Sequence, residues 1–268
     1  MLSRADAQFS ALQQWYAGSV GQNIWRAEKA LLDRHLPHLF GYHLMTLGVC
    51  PSLPLVEASP IHHCFSLSEA ASASPNIAAR CHAYALPIEN ESVDVAVLHH
   101  SLDYSDTPHQ LLRETARVLM PYGSVLIFGF QRCSTLGVQH ALQKRWSPLN
   151  TVAAHNSLSV HRLHDWLTLL NFEIVESTHT VYVPPQLGEA ARSHLQWLER
   201  WGSKSKLPWG SVYCVLARKT VVGVRPLLLE KEKRSLNPLS ALSPVPVTPT
   251  VRPSTVSPSA AVNPKNNV

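Results

Sequence analysis

The chain has 268 residues, 45% of them hydrophobic and 15% charged, with a formal net charge of +5. No stretch reaches the roughly 18 consecutive apolar residues of a membrane span. Met1-Leu2-Ser3-Arg4 lacks the basic-then-apolar order of a signal peptide, so a cytoplasmic protein is expected. From Arg225 onward six basic residues stand against two acidic ones, which leaves +1 on the rest of the chain, too little long-range attraction for a nucleic-acid partner.

The first elements in chain order are helical. Ala27, Leu31, Leu32 and Leu36 fall near helical spacing within residues 5–39. His43-Leu44-Met45-Thr46-Leu47-Gly48 reads as a short strand ending in glycine, and a loop broken by Pro51, Pro54 and Pro60 follows. His62-His63-Cys64-Phe65-Ser66-Leu67 is the second strand. Val93-Asp94-Val95-Ala96-Val97-Leu98 is apolar without strict alternation, as expected of a strand covered on both faces. Thr107-Pro108-His109-Gln110 then opens a helix, with Thr107 as cap, Pro108 in the first turn and Gln110 completing a capping box. Leu111, Leu112, Thr115, Ala116 and Leu119 share one face of it. Met120-Pro121-Tyr122-Gly123 reads as a type I turn, and residues 124–130 as the next buried strand.

Strand, helix and strand in under 40 residues make a βαβ unit with parallel strands and a right-handed crossover. The alternation continues through a helix at 161–170, a strand-rich stretch at 172–183, helical spacing at 187–201 and a closing strand at 211–219. The pattern predicts a doubly wound α/β domain over residues 1–224, with helices at about 5–39 and a sheet core at about 43–219. Residues 225–268, rich in Pro, Ser and Thr, offer little to bury and are expected to form a disordered tail.

Ala85-Leu86-Pro87-Ile88-Glu89-Asn90-Glu91-Ser92-Val93-Asp94 resembles the "LPF-x-x-x-S-F/V-D" signature of small-molecule class I methyltransferases. The run from Pro108 to Leu119 resembles their "P-x-x-x-L-x-E-x-x-R-V-L" helix, and the turn and strand through Phe128 complete the match. The chain is similar to the methyltransferase type 11 group. The resemblance implies a Rossmann-like fold with a mostly parallel seven-stranded sheet whose last strand is antiparallel, and S-adenosylmethionine as cofactor across the carboxyl ends of the first strands. It places Gly48 and Val49 at the end of the first strand, Ala83 to Leu86 beside the adenine, and His99 near the methionine end. By position His100 and Tyr104 line the substrate side. Trp15, Tyr16 and Trp25 precede the first strand, where relatives cap the cofactor. Arg113, Glu114 and Arg117 belong to the family's helix and are read as surface ion pairing rather than site residues.

The pattern departs from the family at three places. The loop "D-x-G-x-G-x-G" is here Thr46-Leu47-Gly48-Val49-Cys50-Pro51-Ser52, with one glycine, and Pro51 removes an amide donor. The carboxylate for the ribose falls to Glu69, one residue past Ser68. His82 takes the place of an aspartate and is not an equivalent acceptor. Two functions stay open: methyl transfer to a small molecule, and a methyltransferase-like binding or scaffold module without catalysis. No single catalytic residue is assigned.

Other chemistry is less well supported. The five cysteines, Cys50, Cys64, Cys81, Cys133 and Cys214, are odd in number and widely spaced, as buried free thiols would be. His62-His63 and His99-His100 are neighbours on or beside strands and should point to opposite faces, so no metal site is expected from either pair. His161 and His164 share a helical face but lack an evident third ligand.

Overall fold

The computed structural model describes residues 4–50, 53–69, 77–82, 84–131, 134, 158–182, 194 and 210–221. The expected helical stretch at 187–201 falls almost wholly outside them, and the expected tail does so completely. Backbone contacts divide the chain into two units, Met1–Gly223 and Val224–Val268, and everything below concerns the first.

Two helices open the unit, α1 (Arg4–Ala17) and α2 (Ser19–His35), followed by a single 3₁₀ turn at Leu36–His38. The sheet comprises β1 (His43–Gly48), β2 (His63–Ser68), β3 (Ile77–Arg80), β4 (Val93–His99), β5 (Leu119–Phe130), β6 (Phe172–Thr180) and β7 (Val212–Lys219). A one-turn helix α3 (Ser101–Tyr104) and the longer α4 (Pro108–Val118) link β4 to β5, and α5 (Val160–Leu169) precedes β6. The strand order is β3-β2-β1-β4-β5-β7-β6. β1 to β5 run parallel, and β7 is antiparallel to both its neighbours. The order reverses between β1 and β4, and open α/β sheets bind ligands at such a switch point.

Hydrophobic layers cover both faces. Met45, Leu47, Ala96, Leu98, Val125 and Ile127 point to the face packed by Leu111, Leu112 and Val118 of α4 and by Leu163 and Leu167 of α5. Leu44, Val95, Val97, Leu126 and Phe128 point the other way, onto Trp25, Leu31 and Leu32 of α2. This burial on both sides explains why β4 lacks alternation in its sequence. Between β1 and β2 the described residues form no helix: a turn carrying Leu55, together with Ile61, packs on the same layer as α2. Gly21 lets α2 approach α1, because a Cβ there would overlap the backbone of Trp15 and Tyr16. That approach sets Tyr16 against α2.

Two local expectations are corrected. Thr107 makes no side-chain cap to α4; its own amide instead donates to Ser105 Oγ at 3.2 Å. Residues 120–123 do not form a type I turn. They loop out of the β4–β5 ladder, whose register passes from Val93↔Leu119 to Val95↔Ser124. Tyr122 has φ +65°, the left-handed value that a type II turn requires at its third position.

Candidate functional site

The buried face of α2 carries Gly21, Ile24, Trp25, Glu28, Leu31, Leu32 and His35, spaced three and four apart. Glu28 thus stands in the middle of an apolar stripe, and it is fully buried. The helix aims it at the carboxyl end of β4. His99 is the last residue of that strand and projects Nε2 to 3.0 Å from Glu28 Oε2. His100 follows with φ 54° and ψ 9°. This left-handed turn breaks the strand alternation, so His100 does not point away from its neighbour. Its Nε2 lies 2.8 Å from Glu28 Oε1. The expectation that adjacent histidines cannot converge is overturned here, because one of them has left the strand.

The other nitrogen of His100, Nδ1, is 3.0 Å from Oδ2 of Asp103 in α3. That oxygen also accepts the Phe130 amide at 2.8 Å. Asp103, His100, Glu28 and His99 form one buried chain of hydrogen bonds with none of the four exposed. Tyr16 donates its hydroxyl to Glu28 Oε2 at 3.4 Å, and Phe130 stacks on His100 with ring centroids 4.0 Å apart. The ring of Trp25 stands edge-on to that of His99.

Burial works on each of these groups first, and the neighbours then decide. For Glu28, burial pushes the pKa up, but the charges and hydrogen bonds of His100 and His99 outweigh it and bring the carboxyl down to about 2. For His100, burial pushes down, yet the Glu28 charge and the hydrogen bonds that His100 donates to Asp103 and Glu28 raise it to about 9. Burial keeps His99 below the usual histidine range and lifts Asp103 above the usual carboxylate range. The side-chain atoms His99 Nδ1, Ser101 Oγ and Asp103 Oδ1 are buried without a hydrogen-bond partner. Unsatisfied buried polar atoms are costly, and clusters of them with shifted pKa values mark functional sites.

The remaining expected residues spread along the same edge. Gly48 is half-buried, and a Cβ there would be in ordinary contact, 3.4 Å, with Leu55 Cδ1. The Val49 amide donates to the His99 carbonyl at 3.3 Å. Glu69 is half-buried and its backbone carbonyl accepts from Arg80 Nε at 3.0 Å. His82 is exposed and stacks on Tyr84, centroids 5.2 Å apart. Ala83 lies outside the described residues. Leu86 is buried, and its amide donates to Glu114 Oε2 at 3.3 Å. Tyr104 is half-buried and packs with Ile24 and Phe130.

Arg117 does more than pair on the helix surface. Its guanidinium donates to the carbonyls of Leu86 and Ile88, to Asn90 Oδ1 and to Glu114. It fixes the loop that carries Leu86. The other histidines do not gather into a site. His43 and His63 meet at 2.8 Å at the amino ends of β1 and β2, the opposite edge of the sheet. His161 is exposed and His164 half-buried on α5.

Glu28 and Asp103 carry no motif in the sequence. Glu28 did leave a trace, a lone acid between Ile24-Trp25 and Leu31-Leu32 on a helical face.

The seven-stranded sheet, parallel but for one strand, in the order β3-β2-β1-β4-β5-β7-β6, is that of a class I methyltransferase fold. The family comparison agrees: residues 53–127 match the methyltransferase domain model of the type 11 group. The chain belongs to the class I S-adenosylmethionine-dependent methyltransferases, whose cofactor is S-adenosylmethionine. It is 30% identical to the uncharacterized protein YafS of Escherichia coli K12 over 221 residues, 81% of this chain and 83% of that one. Among solved structures it is similar to one from a complex between the Haloferax volcanii Trm112 methyltransferase activator and a methyltransferase, with TM-score 0.58, 15% identity and coverage of 82% of this chain and 100% of that one. It is also similar to an S-adenosylmethionine-dependent methyltransferase from Archaeoglobus fulgidus, with TM-score 0.54, 14% identity and coverage of 78% and 98%. At these identities the two structures speak to the fold alone. No helix among the described residues is long and apolar enough to cross a membrane.

Proposed function

We propose that the chain transfers a methyl group from S-adenosylmethionine to a small-molecule acceptor at the carboxyl edge of β1, β2 and β4. The observation that carries this reading is the switch in strand order between β1 and β4, where open α/β sheets bind ligands, with Gly48, Val49, Glu69 and Tyr104 half-buried along its edge. At the other end Glu69 supplies the carboxylate for the ribose hydroxyls. Gly48 lets the ligand approach β1 closely, with Val49 beside it, and His82, Ala83 and Leu86 flank the adenine.

The sulfonium supplies an activated methyl group, so the protein's task is to align donor and acceptor and to exclude water. Trp25 and Tyr16 cover the inner wall. Asp103, held by His100 and the Phe130 amide, fixes the turn after β4 that faces the methionine end. His100 is enclosed, so it acts by holding the same turn, while Tyr104 orients the acceptor. Titration calorimetry with S-adenosylmethionine and S-adenosylhomocysteine tests the reading. Micromolar binding, with turnover lowered by His99→Ala and by Tyr104→Phe, supports it.

A second reading is a binding module without catalysis. It is favoured by the segment after Gly48, where Leu55 packs onto the glycine and the Val49 amide is already used. Absence of heat at millimolar cofactor would select it.

A further inference from the structure

We propose that Glu28, His99 and His100 form a divalent transition-metal site, zinc by its donor set, with Asp103 orienting His100 as a ligand. The proposal shares His99, His100 and Asp103 with the methyl-transfer reading but not its readout: cobalt binding is followed without cofactor, so either can fail alone.

One ligand atom from each of Glu28, His99 and His100 lies within 4.8 Å of the other two. Two histidines and a glutamate make a zinc ligand set with room for a fourth ligand. Tetrahedral ligands at about 2.0–2.1 Å from a cation stand about 3.3 Å apart. Glu28 meets the two histidines through separate oxygens, His99 through Oε2 at 3.0 Å and His100 through Oε1 at 2.8 Å, so a cation taken up between the carboxylate and both Nε2 atoms opens both contacts. Both histidines offer the same nitrogen, and neither ring must turn over.

The surroundings agree. A metal-bound histidine almost always gives its other ring N–H to a carboxylate or carbonyl, which fixes the ring and makes it a better ligand. His100 does this with Asp103 Oδ2 at 3.0 Å, whereas His99 Nδ1 has no such partner. The carboxylates of Glu28 and Asp103 together balance a double positive charge. The rings of Tyr16, Trp25, Phe128 and Phe130 pack around the two histidines. The fold creates this arrangement from α2, β4 and α3, so the metal would be taken up as the chain folds.

The test uses the full chain, stripped of metal and refolded from urea with cobalt(II) as the probe. The expected result is roughly one tightly held cobalt per chain, tetrahedral visible bands that zinc bleaches, and an X-ray absorption signature of two imidazoles. Glu28→Gln and His99→Ala should abolish the bands. Asp103→Asn should keep them but weaken affinity about 10–100-fold. The double variant of His43→Ala and His63→Ala, which removes the exposed pair at the opposite edge, should leave both unchanged. The proposal is overturned if the wild-type chain shows no tetrahedral bands, if the bands survive in Glu28→Gln and His99→Ala, or if they vanish with the His43/His63 pair. Should the Glu28 and His99 variants fail to fold by circular dichroism, the wild-type spectrum and the Asp103→Asn affinity decide.

Discussion

Nε2 of His100 lies 2.8 Å from Oε1 of Glu28, although the two residues are 72 positions apart. The contact joins the N-terminal helical layer to the carboxyl end of the central strand. It depends on two separate local features: a helical face that places an acid among apolar residues, and a left-handed residue directly after β4.

Removal of the acid should therefore damage the whole fold. Glu28→Ala leaves two histidines buried without their shared partner, and breaking a buried ion pair from one side costs about 3–5 kcal/mol. For a domain of this size the melting temperature should fall by roughly 6–20 °C. Thermal unfolding followed by circular dichroism checks this. A change under about 1 kcal/mol would mean that the cluster rearranges at little cost.

Stability of the metal-free chain should depend on pH through the same groups. His100 has a native pKa of about 9 against an ordinary value of 6.5. Its contribution is complete below about pH 6.5 and is lost as the pH rises through 9. Glu28 is depressed from 4.5 to about 2, so its contribution is present above 4.5 and lost as the pH falls through 2. His99, lowered by burial, has the opposite sign to His100 and loses stability below the ordinary histidine range. Urea midpoints should decline on the alkaline side between these two values of His100, and His100→Gln should flatten that limb. An unchanged alkaline slope in the variant would assign it to other groups.

The Arg117 network gives a local test. One guanidinium holds two carbonyls, Asn90 and Glu114. Lysine has three donors on a single nitrogen and cannot reproduce that fork. Arg117→Lys should lose about 1–3 kcal/mol and raise amide exchange in the loop from Leu86 to Asn90. Equal exchange in variant and wild type would show that the loop is held by packing alone.

Much of the fold was legible because β4, α4 and β5 are strongly patterned. Their apolar runs, the proline at the helix start and the LP and RVL motifs all point to one βαβ unit. The type II geometry at Tyr122 was not legible, since it arises from the extra residues that β5 holds against β4. Gly48 and His99 could be placed from the sequence at strand ends, and Leu86 in the loop before β4 by the LP motif. The buried cluster was not legible. A strand rule sends neighbouring side chains apart, and only the turned backbone of His100 brings it beside His99. Glu28 shows only as an acid on the apolar face of α2, and Asp103 carries no local signal of its partner.

The most direct measurement is the dissociation constant of S-adenosylhomocysteine for the wild-type chain and for Glu69→Ala. The ribose carboxylate of the proposed site makes charge-assisted hydrogen bonds of about 1.5–3 kcal/mol, so micromolar wild-type binding should weaken about 10–100-fold in the variant. Wild-type silence at millimolar ligand, or equal affinity in the two chains, would contradict a crevice in which Glu69 holds the sugar.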